Sequence, residues 1–115
     1  QAMNQASLVE ITYLPWEHTE QLNSADLVIN TTPEHAGDFF VPAIRNPAGT
    51  FFEVLYNPWP TVLSKVWAQS ENLVIDGLDL LIHQGISQVE IFAGVCVDRQ
   101  ELYALMRKAA LAKLA

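Results

Sequence analysis

In the stretch Thr50-Phe51-Phe52-Glu53-Val54-Leu55-Tyr56-Asn57-Pro58-Trp59-Pro60-Thr61 a strand signal runs into a helix signal. The first seven residues are strongly β-prone, and Asn57-Pro58-Trp59-Pro60 stops them. Thr61 is placed to cap a helix over residues 62–69, in which Val62, Leu63, Val66 and Trp67 make one apolar face. Asn72-Leu73-Val74-Ile75 then reads as another short strand. Strand, helix and strand in this order call for a parallel sheet covered by helices.

The same alternation continues on both sides. Downstream, Asp76 is positioned to cap a helix with Asp79 at its third position, and Leu78, Leu81, Ile82, Ile86 and Val89 recur at spacings of three and four. Asp98 and Glu101 open a last helix in the manner of a capping box, with Leu102, Leu105, Met106 and Ala109 expected to face inward. Upstream, Asp26-Leu27-Val28-Ile29-Asn30 is a short continuous apolar strand of the kind buried in parallel sheets, ending in the loop Thr31-Thr32-Pro33. Residues 8–14 alternate with period two, which predicts a strand closed by Pro15, and a helix or turn follows from Glu17 to Asn23. Between Glu34 and Gly49 the pattern is irregular, with one helical turn expected around Asp38 to Ala43. The fold class is α/β.

A chain of 115 residues forms one domain at most. Thirteen acids against six bases give a net charge of −7, a surface that repels nucleic acid and anionic membrane, both of which need clustered Lys and Arg. No apolar run approaches the roughly 20 residues needed to span a bilayer. The single Cys96 excludes an internal disulfide, fits a reducing cytoplasm, and reads as a small buried residue. Gln1 is not an initiator methionine and the opening residues carry no secretory signal, so the expectation is a chain that starts within a longer protein.

The polar residues at the strand ends are the candidates for chemistry. Asn30-Thr31-Thr32 follows a buried strand, where amides and hydroxyls can approach a dinucleotide, though turns of this composition also follow many strands for structural reasons. The Tyr56 hydroxyl can bond a polyol or carboxylate, and its ring can equally pack a sheet end. Gln84 lies to one side of the apolar stripe of its helix and alone reads as solvated. His83 has no partner nearby in sequence and reads as surface or packing. Glu17, His18 and Glu20 lack a second cluster at ligand spacing, so no metal is expected.

Three patterns occur in one order. They are Asn30-Thr31-Thr32-Pro33, then an acid, Tyr, Pro and Thr in Glu53-Val54-Leu55-Tyr56-Asn57-Pro58-Trp59-Pro60-Thr61, then Asp76-Gly77-Leu78-Asp79-Leu80-Leu81-Ile82-His83-Gln84. With them the chain resembles the shikimate dehydrogenase family from about Leu8 to its end, most densely between Ala25 and Gly94. Glu53 stands where that family more often has Asp, and His35-Ala36-Gly37-Asp38 where it often has Gly-Met.

The resemblance implies that residues 1–115 are the C-terminal portion of a Rossmann-like NADP-binding domain: a three-layer half-domain with a short, mostly parallel sheet and helices on both faces. It implies that Asn30, Thr31, Thr32, Val54 and Gly77 lie beside NADP, the last two near the nicotinamide, and that Tyr56 and Gln84 hydrogen-bond shikimate. The parent would be a cytoplasmic oxidoreductase of the shikimate pathway, moving hydride between NADPH and 3-dehydroshikimate, with quinate as the related substrate. In the family the Gly-rich phosphate turn, the basic groups for the 2′-phosphate and the catalytic Lys and Asp belong to segments preceding the ones matched here. None of that set is found in these 115 residues, so the fragment alone is expected to catalyse nothing and to bind NADP weakly or not at all. The rival expectation is a non-catalytic α/β assembly module. Under either, unpaired sheet edges predict a homodimer or strand exchange.

Overall fold

The computed structural model describes residues 9–115. Three strands, β1 (Leu27–Asn30), β2 (Thr50–Glu53) and β3 (Val74–Ile75), form one parallel sheet in the order β1-β2-β3. Leu27 to Asn30 pair with Thr50 to Glu53 in register, and Phe51 and Phe52 pair with Val74 and Ile75. The helices are α1 (Val62–Ala68), α2 (Gly77–Ala93) and α3 (Arg99–Leu114). Two 3-10 segments, Glu20–Asn23 and Ala36–Ala43, occupy the places of the expected turns.

Because side chains alternate across a sheet, Val28, Phe51 and Val74 share one face. That face packs under α1 in a core built on Ile44, Phe51, Leu63 and Trp67. Phe51 and Trp67 are fully buried and stack with ring centroids 5.0 Å apart. The Trp67 indole Nε1–H donates to the Gly49 carbonyl at 2.9 Å, so the ring is buried without an unpaired donor. Leu27 and Ile29 point to the opposite face and remain half exposed.

A second cluster joins α2 to α3. Leu78, Ile82 and Ile86 are buried at spacings of four and pack against Val97, Leu102, Tyr103, Met106 and Ala110. Asp76 caps α2 by accepting from the Asp79 amide at 2.8 Å, and Gly94 ends it at φ 64°, a conformation that favours glycine. Asp98 caps α3 through the amides of Gln100 and Glu101, without a returning bond from Glu101.

Several expectations change. Residues 9–14 form no strand, and Leu8 lies outside the described residues. β2 stops at Glu53 instead of Tyr56 because the Leu55 amide turns to the Glu53 carboxylate at 3.3 Å. β3 is limited to Val74 and Ile75. Val62, Leu81, Val89, Leu105 and Ala109 are exposed, as is Cys96. For the α2 and α3 positions the cause is a narrow contact: α2 packs chiefly on α3 and buries only the Leu78, Ile82 and Ile86 stripe.

Candidate functional site

The sequence patterns converge at the carboxyl edge of the sheet, where open parallel sheets hold ligands. Val54 N–H donates to the Asn30 carbonyl at 3.0 Å and Gly77 N–H to the Leu55 carbonyl at 3.3 Å. Backbone hydrogen bonds therefore join the ends of β1, β2 and β3 in one row. At Gly77 the backbones meet so closely that a Cβ would lie 1.8 Å from the Val54 carbonyl oxygen. Glycine is required there by the fold itself.

Below this row sits Glu53, fully buried. Oε1 accepts from Asn30 Nδ2 at 3.1 Å and from Leu55 N–H at 3.3 Å. Oε2 accepts from Asn30 Nδ2 at 3.0 Å and from the Thr61 hydroxyl at 3.1 Å. Thr61 Oγ1 in turn accepts from the Ser64 amide at 3.1 Å, capping α1. On the other side of Asn30, Oδ1 accepts from the Thr32 amide at 3.1 Å and the Thr32 hydroxyl at 2.8 Å. The acid of the second pattern, its Thr, and the Asn and Thr of the first are thus one hydrogen-bonded unit. The central place of Glu53 in it was not apparent in the sequence, whose only signal was an acid ending a β-prone run.

Thr31 is exposed and Thr32 half-buried. Both border an apolar cavity of about 240 Å³ whose walls include Trp16, Val28, Ile29 and Phe40. Trp16 stacks on Phe40 at 4.9 Å. Beyond the turn, His35 takes a left-handed conformation, φ 66°. Its ring bonds Asp38 and lies beside Glu34, and both carboxylates raise its pKa above the ordinary histidine value.

Tyr56 is 43% exposed in the β2–α1 loop. It lines a separate cavity of about 280 Å³ with Asn57, Trp59, Asp76, Leu78 and Arg107. Arg107, which nothing in the sequence singled out, reaches from α3 to the start of α2. Its Nη2 bonds Asp76 Oδ2 at 2.8 Å and its Nη1 bonds Asp79 Oδ1 at 2.5 Å. Tyr103 donates its hydroxyl to Asp79 as well. Burial pushes the Asp76 carboxyl up, but Arg107 and the amides of Asp79 and Leu78 outweigh it and hold the pKa below the ordinary value. The Asp79 hydrogen bond and burial raise the Tyr103 pKa. Gln84 is exposed on the second turn of α2 and does not line the Tyr56 cavity. His83 is exposed too, its ring 5.2 Å from that of Tyr103.

Val54 and the buried Gly77 meet each other through backbone, and the turn beside them carries the Thr31 and Thr32 hydroxyls. The six basic residues of the chain all lie from Arg45 onward, and none belongs to the β1 turn. The hydroxyls and amides of this edge suit an uncharged part of a ligand, and the edge lacks the cations or Gly-rich turn that dinucleotide phosphates need. Among the described residues no group of His, Cys, Asp or Glu is arranged to hold a metal ion.

Known proteins share both sequence and fold with this chain. The shikimate dehydrogenase (NADP(+)) of Pyrobaculum aerophilum is 38% identical over 104 residues, covering 88% of this chain and 35% of that protein. The protein of the same name from Archaeoglobus fulgidus is 30% identical over 111 residues, covering 91% and 40%. The crystal structure of Mycobacterium tuberculosis shikimate dehydrogenase superposes with a TM-score of 0.70 at 27% identity, over 81% of this chain and 35% of that one. The chain is a homologue of the shikimate dehydrogenases. It spans little more than a third of the length of these curated relatives. No family profile matches it. The open parallel sheet with helices is the Rossmann-like architecture expected from the resemblance.

Proposed function

We propose that this chain is the C-terminal portion of the NADP-binding domain of a shikimate dehydrogenase, and that its sheet edge shapes the nicotinamide pocket and orients the substrate. The parent enzyme transfers hydride between NADPH and 3-dehydroshikimate. NADP supplies the hydride; the residues of this chain supply position. Asn30, Thr31 and Thr32 border the dinucleotide, Val54 and Gly77 bound the nicotinamide with backbone, and Tyr56 and Gln84 hydrogen-bond the substrate. Quinate is the neighbouring substrate class. The observation that carries this assignment is the meeting of three sequence-distant patterns along one carboxyl edge, joined by the Asn30–Val54 and Leu55–Gly77 backbone hydrogen bonds.

The phosphates of NADP and the proton transfer are left to groups outside these 115 residues, so the chain alone is inactive. The test is NADPH oxidation with 3-dehydroshikimate, run on this chain and on the polypeptide that the intact reading frame encodes. Activity in the second and none in the first is expected. Inactivity of both with shikimate, quinate and either nicotinamide cofactor contradicts the assignment.

A second role has its own support. Among the described residues β1 is an edge strand, and Leu27 and Ile29 on it are half exposed, which favours an assembly contact with a second copy of the chain. In that case the fold serves association without the reaction. No helix among the described residues is long and apolar enough to cross a membrane. The cytoplasmic location proposed for the parent rests on the resemblance to the shikimate dehydrogenases.

A further inference from the structure

Asn30 is hydrogen-bonded at both ends of its amide, and Glu53 explains why. A carboxylate accepts and never donates, so it holds the Nδ2 end of Asn30 towards itself and sends Oδ1 to the turn. Oδ1 then fixes Thr32 twice, through its amide and its hydroxyl. No polar side-chain atom in this buried unit is left without a partner. Its members come from β1, β2 and the cap of α1, so the unit ties the β1 turn to the rest of the carboxyl edge.

We infer that Glu53 and Asn30 act as a positioning pair: together they set the orientation in which the Thr31-Thr32 turn meets NADP. This rests on the proposal that the turn borders the cofactor. The polarity of the pair is what matters. Glu53→Gln places an NH2 group against at least one of the donors Asn30 Nδ2 and Leu55 N–H. Asn30→Asp sets two carboxylates face to face. The exchange Asn30→Asp with Glu53→Gln keeps a donor opposite an acceptor at the pair itself, with the direction of the bond reversed. The amide introduced on β2 then donates to the carboxylate introduced on β1, and that carboxylate still accepts from Thr32.

The test is a titration of the isotope-labelled polypeptide encoded by the intact reading frame with NADP+, following backbone amide resonances and the Trp67 indole signal as a marker of folding. In the wild-type chain the Thr31 and Thr32 amides shift on titration. In each single variant the affinity read from those shifts falls by about tenfold, the worth of one lost hydrogen bond, while the double variant recovers most of it. The Asn30 Nδ2 protons, slow to exchange in the wild type, exchange fast in Glu53→Gln. Equal affinity in the wild type and both single variants overturns the positioning pair and leaves the cofactor assignment standing. No shift at Thr31 or Thr32 in the wild type overturns the cofactor assignment and the pair's role with it. Should the single variants fail to fold, the double variant decides: recovery of folding and NADP+ response supports the pairing, and failure of either contradicts it.

Discussion

At Gly77 the close approach of two backbones leaves no space for a side chain. A methyl group 1.8 Å from the Val54 carbonyl oxygen forces β2 and the start of α2 apart. Gly77→Ala is therefore expected to cost about 1–3 kcal/mol, as overpacking does, and urea unfolding measures it. Unchanged stability would show that the two backbones yield at little cost. The glycine was legible in the sequence as the residue after an apolar strand and a helix cap, but its physical reason was not. That reason is the Val54 carbonyl oxygen, which comes from a strand end far back in the sequence. The capping roles of Thr61 and Asp76 were fully legible because each bond spans three residues. The Glu53 unit was not, because Asn30 and Glu53 are 23 residues apart and only the β1–β2 register brings them together.

Between elements, the ion pairs of Arg107 with Asp76 and Asp79 fasten α3 to the first turn of α2. The folded state holds Asp76 below its ordinary pKa, so this contribution is fully present above about pH 4. It is lost as pH falls through the lowered folded value. Arg107→Ala is expected to cost about 1.5–3 kcal/mol near neutral pH and to move acid unfolding to higher pH. Circular dichroism during an acid titration checks both, and an unmoved acid transition would contradict the role given to Arg107. The helices themselves were readable from periodicity, and their inward faces less so. Leu81, Val89 and Leu105 fit the apolar repeat yet are exposed, because periodicity names a candidate stripe and only the packing partner fixes its width. Residues 9–14 carry the period-2 alternation and yet form no strand, so the alternation alone did not decide the element.

For the whole molecule, the consequence of this architecture is an open sheet. The parallel order was predictable from alternating strand and helix signals, and the two edges follow from having three strands. β1 at one edge carries half-exposed Leu27 and Ile29, and α2 ends in the exposed Ile91 and Phe92. Association through the β1 edge predicts a mass in light scattering that rises from monomer to dimer with concentration, and that falls back when Ile29→Lys puts a charge on the edge. A monomer at every concentration contradicts it. With a net charge of −7, the proposed function assigns the cofactor phosphates to groups outside these 115 residues. The role proposed for this chain is the placing of nicotinamide and substrate. The most direct measurement is the steady-state kinetics of Tyr56→Phe in the polypeptide encoded by the intact reading frame. A substrate-orienting hydroxyl predicts a KM for shikimate raised about tenfold with the KM for NADP+ unchanged. Wild-type values for both would remove Tyr56, and with it the β2–α1 loop, from the substrate site.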